Sequence, residues 1–310
     1  MSGVLDDSYL EKGLTAMART TGHWFGAHWG ASVIAGYYLC KENRLSDETV
    51  TAVKAQLDLM LMSRESRFEP RPAQPADEGL IQEVPKAVVP VMQGGLRHHG
   101  HAVIFASLST KALRDVPELA QPAIIDGLTA LSRSIAPQVP KAPASDEPYG
   151  DTQSMVEATF DSVARFETLV GHPSIKRPNF THMMTHTDAL MTLEMMGFAD
   201  VAVSGHAGHR AHIDVPVPDV APDGPGPAKR TTLEEIMEPS FWENEDNVAR
   251  WNAKANTISN RNGDWVAAGH LFKMLYSYHR LAKRVEDRDK VRLCSGILLE
   301  RYVNPEVQGG

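Results

Sequence analysis

Histidine stands at the mouth of one apolar run after another in this chain. The clearest places are Gly22-His23-Trp24-Phe25-Gly26-Ala27-His28-Trp29-Gly30-Ala31, Arg97-His98-His99-Gly100-His101-Ala102-Val103 and Asp264-Trp265-Val266-Ala267-Ala268-Gly269-His270-Leu271. A looser relative is Asn179-Phe180-Thr181-His182-Met183-Met184-Thr185-His186-Thr187-Asp188-Ala189-Leu190. Repetition of one phrase marks repeated supersecondary units. Histidines at the starts of buried helices predict that those ends converge on one polar site, which is the mark of an enzyme. A helix start also depresses an imidazole pKa, because the dipole opposes the positive charge. Neutral imidazoles there suit a general base or a metal ligand, and His28, His101 and His270 are the catalytic candidates. Tyr276, six residues past His270, joins them.

His182 and His186 are spaced i,i+4, which puts two imidazoles on one helical face and suits a shared metal ion. No Glu adjoins His182, so the metalloprotease motif is absent. Gly205-His206-Ala207-Gly208-His209-Arg210-Ala211-His212 reads as a loop because of its glycines. A third ligand would come from His206, His209 or His101, with water in an open position and Asp214 near enough to orient an imidazole. His28, His101, His186 and His270 are expected within ~10–12 Å of a common centre. Trp24, Trp29, Trp265 and Met183 are the candidates for an apolar substrate wall. Taken singly, each of these residues has a plain alternative as core packing.

The elements that would carry these groups are helical. Trp24 to Lys41 is almost continuously apolar and small, and Ser46-Asp47-Glu48-Thr49 opens a capped helix to about Met62, with Val50, Val53, Leu57 and Leu61 as its stripe. The plan recurs with His101 to Leu113 followed by an amphipathic stretch from Val116. It recurs again with Phe180 to Met196, and with Trp265 to Leu281 followed by Lys290 to Tyr302. No alternation is long enough for a sheet, although Ala211 to Val217 reads as a short strand or an extended loop. Buried inner helices paired with amphipathic outer ones predict an all-α fold, an α/α toroid, as a single domain over 1–310. Three proline-rich stretches, Glu69 to Asp77, Ala136 to Pro148 and Val215 to Pro227, read as long loops of that domain.

Composition narrows the classes. The 310 residues carry a formal net charge of -8 and no basic block, which argues against nucleic acid as a partner. No apolar run reaches the roughly 18 residues of a membrane helix, and no secretory signal is visible. Two cysteines, Cys40 and Cys294, in apolar helical contexts suit reduced thiols and a cytoplasmic protein. The partner expected is a small molecule, with a homo-oligomer left open. There is no dinucleotide fingerprint, P-loop or nucleophile elbow, so no nucleotide cofactor is expected. The Cys–His–Cys zinc pattern of lanthionine cyclases and the Asp-rich prenyl-diphosphate motifs are missing as well.

Asn179-Phe180-x-His182-x3-His186-x2-Ala189-Leu190, Asp264-Trp265-x4-His270-x5-Tyr276 and His98-His99-Gly100-His101 resemble the histidine-bearing repeats of the questin-oxidase-like family. The resemblance covers about a third of the chain in scattered pieces. It implies a mainly helical body, an oxidation, a polyketide-like aromatic substrate and a place in secondary metabolism.

The expectation is therefore a histidine-rich cavity, with a divalent metal, iron or zinc, that serves an oxygenase-like oxidation or ring opening of a small cyclic or aromatic metabolite. A metal-free isomerase or lyase using histidines as acid and base is one alternative. A helical binding or scaffold protein is the other.

Overall fold

Small and apolar residues at nearly every position make four helices that can only be buried. The computed structural model describes residues 5–20, 24–145, 147–169, 179–219, 231, 233, 238–243 and 265–299, without the side chains of 242, 243 and 265–268. Ten helices of eight residues or more lie among them: α1 Ser8–Ala18, α2 His28–Glu42, α3 Asp47–Ser63, α4 His101–Asp115, α5 Pro122–Ile135, α6 Thr152–Ala164, α7 Phe180–Met195, α8 His206–Ile213, α9 Trp265–Ala282 and α10 Arg288–Leu298. No strand occurs among the described residues, and an isolated bridge pairs Leu96 with Lys141. The all-α expectation holds. No helix among the described residues is long and apolar enough to cross a membrane.

Burial separates two kinds of helix. Fourteen of the sixteen residues of α7 and twelve of the fifteen in each of α2 and α4 are buried. In α3 only Thr49, Ala52, Val53, Leu57 and Met60 of seventeen are buried, the stripe of an outer helix. Its start follows the expected chemistry: the Ser46 hydroxyl accepts from the Thr49 N–H at 3.1 Å, with Asp47 and Glu48 in the first turn. The inner helices pack around one another, α2 on α9, α9 on α7, α7 on α4 and α4 on α2, while α1, α3, α5 and α6 pack outside them. A Cβ on Gly269 would fall on the Ser32 hydroxyl, so the bare glycine lets α9 approach α2 beside His270.

The four inner helices run the same way from one end. Their histidines meet near their starts. Some six to ten residues farther on, Tyr38 of α2, Lys111 of α4, Asp188 of α7, and Tyr276 and Arg280 of α9 meet in a second polar layer. Arg280 Nη1 lies 2.8 Å from Asp188 Oδ1 and donates to Thr192 Oγ1 at 2.7 Å and Tyr276 Oη at 3.1 Å. Lys111 pairs with Glu42 and stands over the Tyr38 ring.

Two local readings are corrected. The run from Trp24 breaks at His28, with a 3₁₀ turn over Trp24–Ala27 before α2. The segment 205–212 is the helix α8 and not a loop. Its glycines serve close packing, since a Cβ on Gly205 would strike Leu190 and one on Gly208 would sit 3.3 Å from the Gly95 carbonyl oxygen. The proline-rich stretches at 69–77 and 136–148 contain no helix over 70–77 and 138–145. The third lies outside the described residues beyond 219.

Candidate metal centre

Four imidazoles meet at the start of the inner helices. Ring nitrogens of His28, His101, His182 and His270 all lie within 4.8 Å of one another. The first three residues are buried and His270 is partly exposed. His28 and His101 are the first residues of α2 and α4, His182 the third of α7 and His270 the sixth of α9.

One local device aims three of the four. His28 Nδ1–H donates to the Phe25 carbonyl at 2.8 Å, His101 Nδ1–H to the His98 carbonyl, and His182 Nδ1–H to the Asn179 side-chain oxygen at 2.6 Å. Each oxygen belongs to the residue three before its histidine. An amide oxygen only accepts, so Nδ1 carries the proton and Nε2 presents a lone pair. Asn179 works twice, because the same oxygen caps α7 by accepting from the His182 N–H at 3.3 Å.

Those lone pairs are crowded. Nε2 of His101 lies 2.9 Å from Nε2 of His28 and 3.0 Å from Nε2 of His182. Lone pairs aimed into one space repel unless a cation sits among them. A proton is disfavoured there, because burial holds His28, His101 and His182 well below the usual imidazole range. The charge on Lys273 is the next largest influence on His28 and His101 and pushes the same way. A metal ion is the cation that suits neutral imidazoles.

The turn before His101 is strained to make this geometry. His98, His99 and Gly100 have φ of 41°, 56° and 80°, three left-handed residues in succession. That conformation is costly for residues other than glycine, and it swings the His98 carbonyl onto His101. A Cβ on Gly100 would sit 2.6 Å from His186 Cγ. Gly100→Ala is therefore expected to cost about 3 kcal/mol, from left-handed strain plus overpacking. Urea unfolding of the purified variant checks this; a variant as stable as the parent would contradict the assigned role of the turn.

Trp24 forms a half-buried aromatic wall. Its ring centroid lies 4.7 Å from those of His98 and His101 and 5.7 Å from that of His28. Phe105 closes the buried side, edge-on to His28 at 5.3 Å.

A second group of histidines lies behind the first. His186 Nδ1 is 3.3 Å from His212 Nδ1, and both rings are buried. His209 is fully occupied: Nε2 meets Thr187 Oγ1 at 2.8 Å and Thr159 Oγ1 at 3.1 Å, and Nδ1 meets Tyr149 Oη at 2.9 Å. His206 Nδ1 accepts from the Tyr149 N–H at 3.2 Å. Burial depresses the pKa of every one of these rings, that of His186 to about 3. The exposed His99 stands between the two groups, with ring centroids 5.5 Å from His182 and 5.7 Å from His212.

The sequence places His28, His101 and His270 around one cavity with His186 and pairs His182 with His186 on a metal, whereas the structure groups His28, His101 and His270 with His182. His182 and His186 fall in different groups, His182 facing His101 and His186 facing His212. His206 and His209 likewise stand outside the four-histidine group. Tyr276 belongs to the Arg280 layer, stacked on Tyr38 with centroids 5.7 Å apart. Trp29 is buried with Arg64 over its ring at 5.5 Å, and Met183 is fully buried core. The Trp265 side chain, with His23, His172 and Asp264, lies outside the described residues. Asp214 follows α8, whereas Asn179 and the Phe25 and His98 carbonyls orient three of the four rings. The i−3 spacing was the available signal. Sequence reasoning missed Lys273, whose signal was a lysine between the apolar residues Leu271, Phe272, Met274 and Leu275.

No family model, curated protein or solved structure matches this chain.

Proposed function

We propose that the protein is a mononuclear metal-dependent enzyme of the oxygenase type, which acts on a small cyclic or aromatic metabolite in a cavity at the head of an α/α toroid. The ligands are His28, His101, His182 and His270. The observation that carries the reading is the convergence of proton-free Nε2 atoms whose Nδ1–H groups are already committed to oxygens. Neutral imidazole nitrogens are donors that suit iron or zinc. An ion held by these four residues would supply the centre at which dioxygen is activated, and the oxygenase reading takes it as iron.

The chain's own residues then have clear tasks. Phe25, His98 and Asn179 fix the rings. Phe105 and the inner helices exclude water from the buried side. Trp24 packs its ring against His28, His98 and His101 and makes the surround of the site aromatic. The aromatic nature of the substrate rests on the questin-oxidase-like resemblance.

The 2.9 Å contact between His28 and His101 also supports a second reading, metal-free acid–base catalysis in which these two neutral rings act as a dyad that takes a proton from the substrate and returns it. Elemental analysis of protein purified without chelator separates the two. About one equivalent of iron is expected. The ferrous protein should then take up nitric oxide, a stand-in for dioxygen, with the electron-spin signal of a high-spin ferrous nitrosyl. Protein that holds no metal even after anaerobic loading would overturn the metal reading and favour the dyad. A ferrous protein that binds no nitric oxide would overturn the oxygenase reading alone.

A further inference from the structure

Lys273 sits on α9 one turn past His270, deep among the inner helices, and only 3% of its surface is exposed. No carboxylate pairs with it among the described residues. The four carboxylates of the inner helices are taken elsewhere: Asp188 holds Arg280, Glu42 holds Lys111, Asp115 accepts from the Tyr38 hydroxyl and Glu194 from the Thr152 hydroxyl. Among charged side chains, Lys273 and neighbouring histidines are the largest influences on His28, His101 and His182. Helices α2, α4 and α7, each fifteen residues or longer, also begin at this site and add their positive ends. With four neutral ligands, a divalent ion would bring two more positive charges. A buried excess of positive charge with no counter-ion is unfavourable unless a ligand supplies the negative charge.

We propose that the site takes an organic oxyanion, a substrate whose carboxylate or enolate oxygen sits between Lys273 and the metal. This rests on the metal-enzyme reading for its second anchor, while Lys273 and the helix starts supply the first. The depressed Lys273 pKa, lowered by burial to about 7, fits a lysine that is fully charged only when an anion arrives. Lys273 here is a binding residue that fixes the orientation of the substrate and discriminates against neutral analogues.

The test uses the full-length, metal-loaded protein with formate and benzoate as probes and benzamide as the neutral match to benzoate. Binding is read by calorimetry and by thermal shift, with metal content measured on the same samples. At least one anion should bind at millimolar concentration and raise the melting temperature, while benzamide should not. In Lys273→Met the affinity for that anion should fall about 10–100-fold, the worth of one charge-assisted hydrogen bond, with metal content unchanged. Lys273→Gln is made in parallel and replaces it if Lys273→Met does not fold. No anion binding, equal binding of benzamide, or anion binding unaffected by loss of the lysine overturns the proposal. Protein without metal that still binds the anion through Lys273 would uphold the oxyanion site and sink the metal-enzyme reading, so the two failures remain distinct.

Discussion

His101→Ala is expected to abolish metal binding, whereas His186→Ala retains it. His101 is the shared member of the group, with its Nε2 facing those of both His28 and His182. Its loss removes one ligand and the contact that unites the other two. The metal dissociation constant should rise by more than the roughly 10–100-fold that loss of an orienting partner costs. Asn179→Ala, which frees His182 Nδ1 while leaving the ligand, should fall within that smaller range. His186 aims at His212 one layer away. Competition with a chromophoric chelator measures all three variants. A His186→Ala protein that loses its metal while His101→Ala keeps it would reverse the assignment.

The second large effect is acid lability. His186, His209 and His212 are buried, and burial holds each neutral far below its unfolded pKa of about 6.5, His186 down to about 3. Below pH 6.5 the unfolded chain takes up protons that the folded chain refuses. The stability these groups contribute is thus fully present above pH 6.5 and is lost as pH falls toward their folded pKa values. From pH 7 to pH 5 that amounts to about 2 kcal/mol for each imidazole, or about 6 kcal/mol for three. This is comparable with the whole stability of an ordinary domain. Urea unfolding at pH 7, 6 and 5 should show the midpoint collapse, and His212→Phe should flatten the dependence by about one proton. A midpoint constant across that range would contradict the burial of these rings as neutral species.

The helical architecture was legible in the residues. Continuous apolar and small composition over 28–42, 101–115 and 180–195 marks helices buried on all sides, because no face is left to meet water. Ser46 with Asp47 and Glu48 marks a helix start, because a hydroxyl and the dipole act within one turn. The recurrence of histidine at those starts was legible too. The glycines of 205–212 misled, because a glycine that permits close helix contact looks the same in sequence as one that permits a turn. Only the position of the Gly95 backbone and Leu190 tells them apart.

Sequence by itself determined that His28, His101, His182 and His270 lie near the starts of buried helices, and that Phe25, His98 and Asn179 stand three residues before the first three. Those are local facts, set by composition and by hydrogen bonds that close within one turn. Which imidazoles share a centre is decided by the tertiary structure. The i,i+4 pair looked like one site because spacing along a helix carries no information about what packs against each residue. Packing of α7 between α4 and α9 turns His182 into the head of the core, and α8 draws His186 toward His212. The same packing buries Lys273 beside the group and ties Asp188 and Glu42 to other cations at the far end. Charge balance at the site is a property of that assembled volume and of no segment within it.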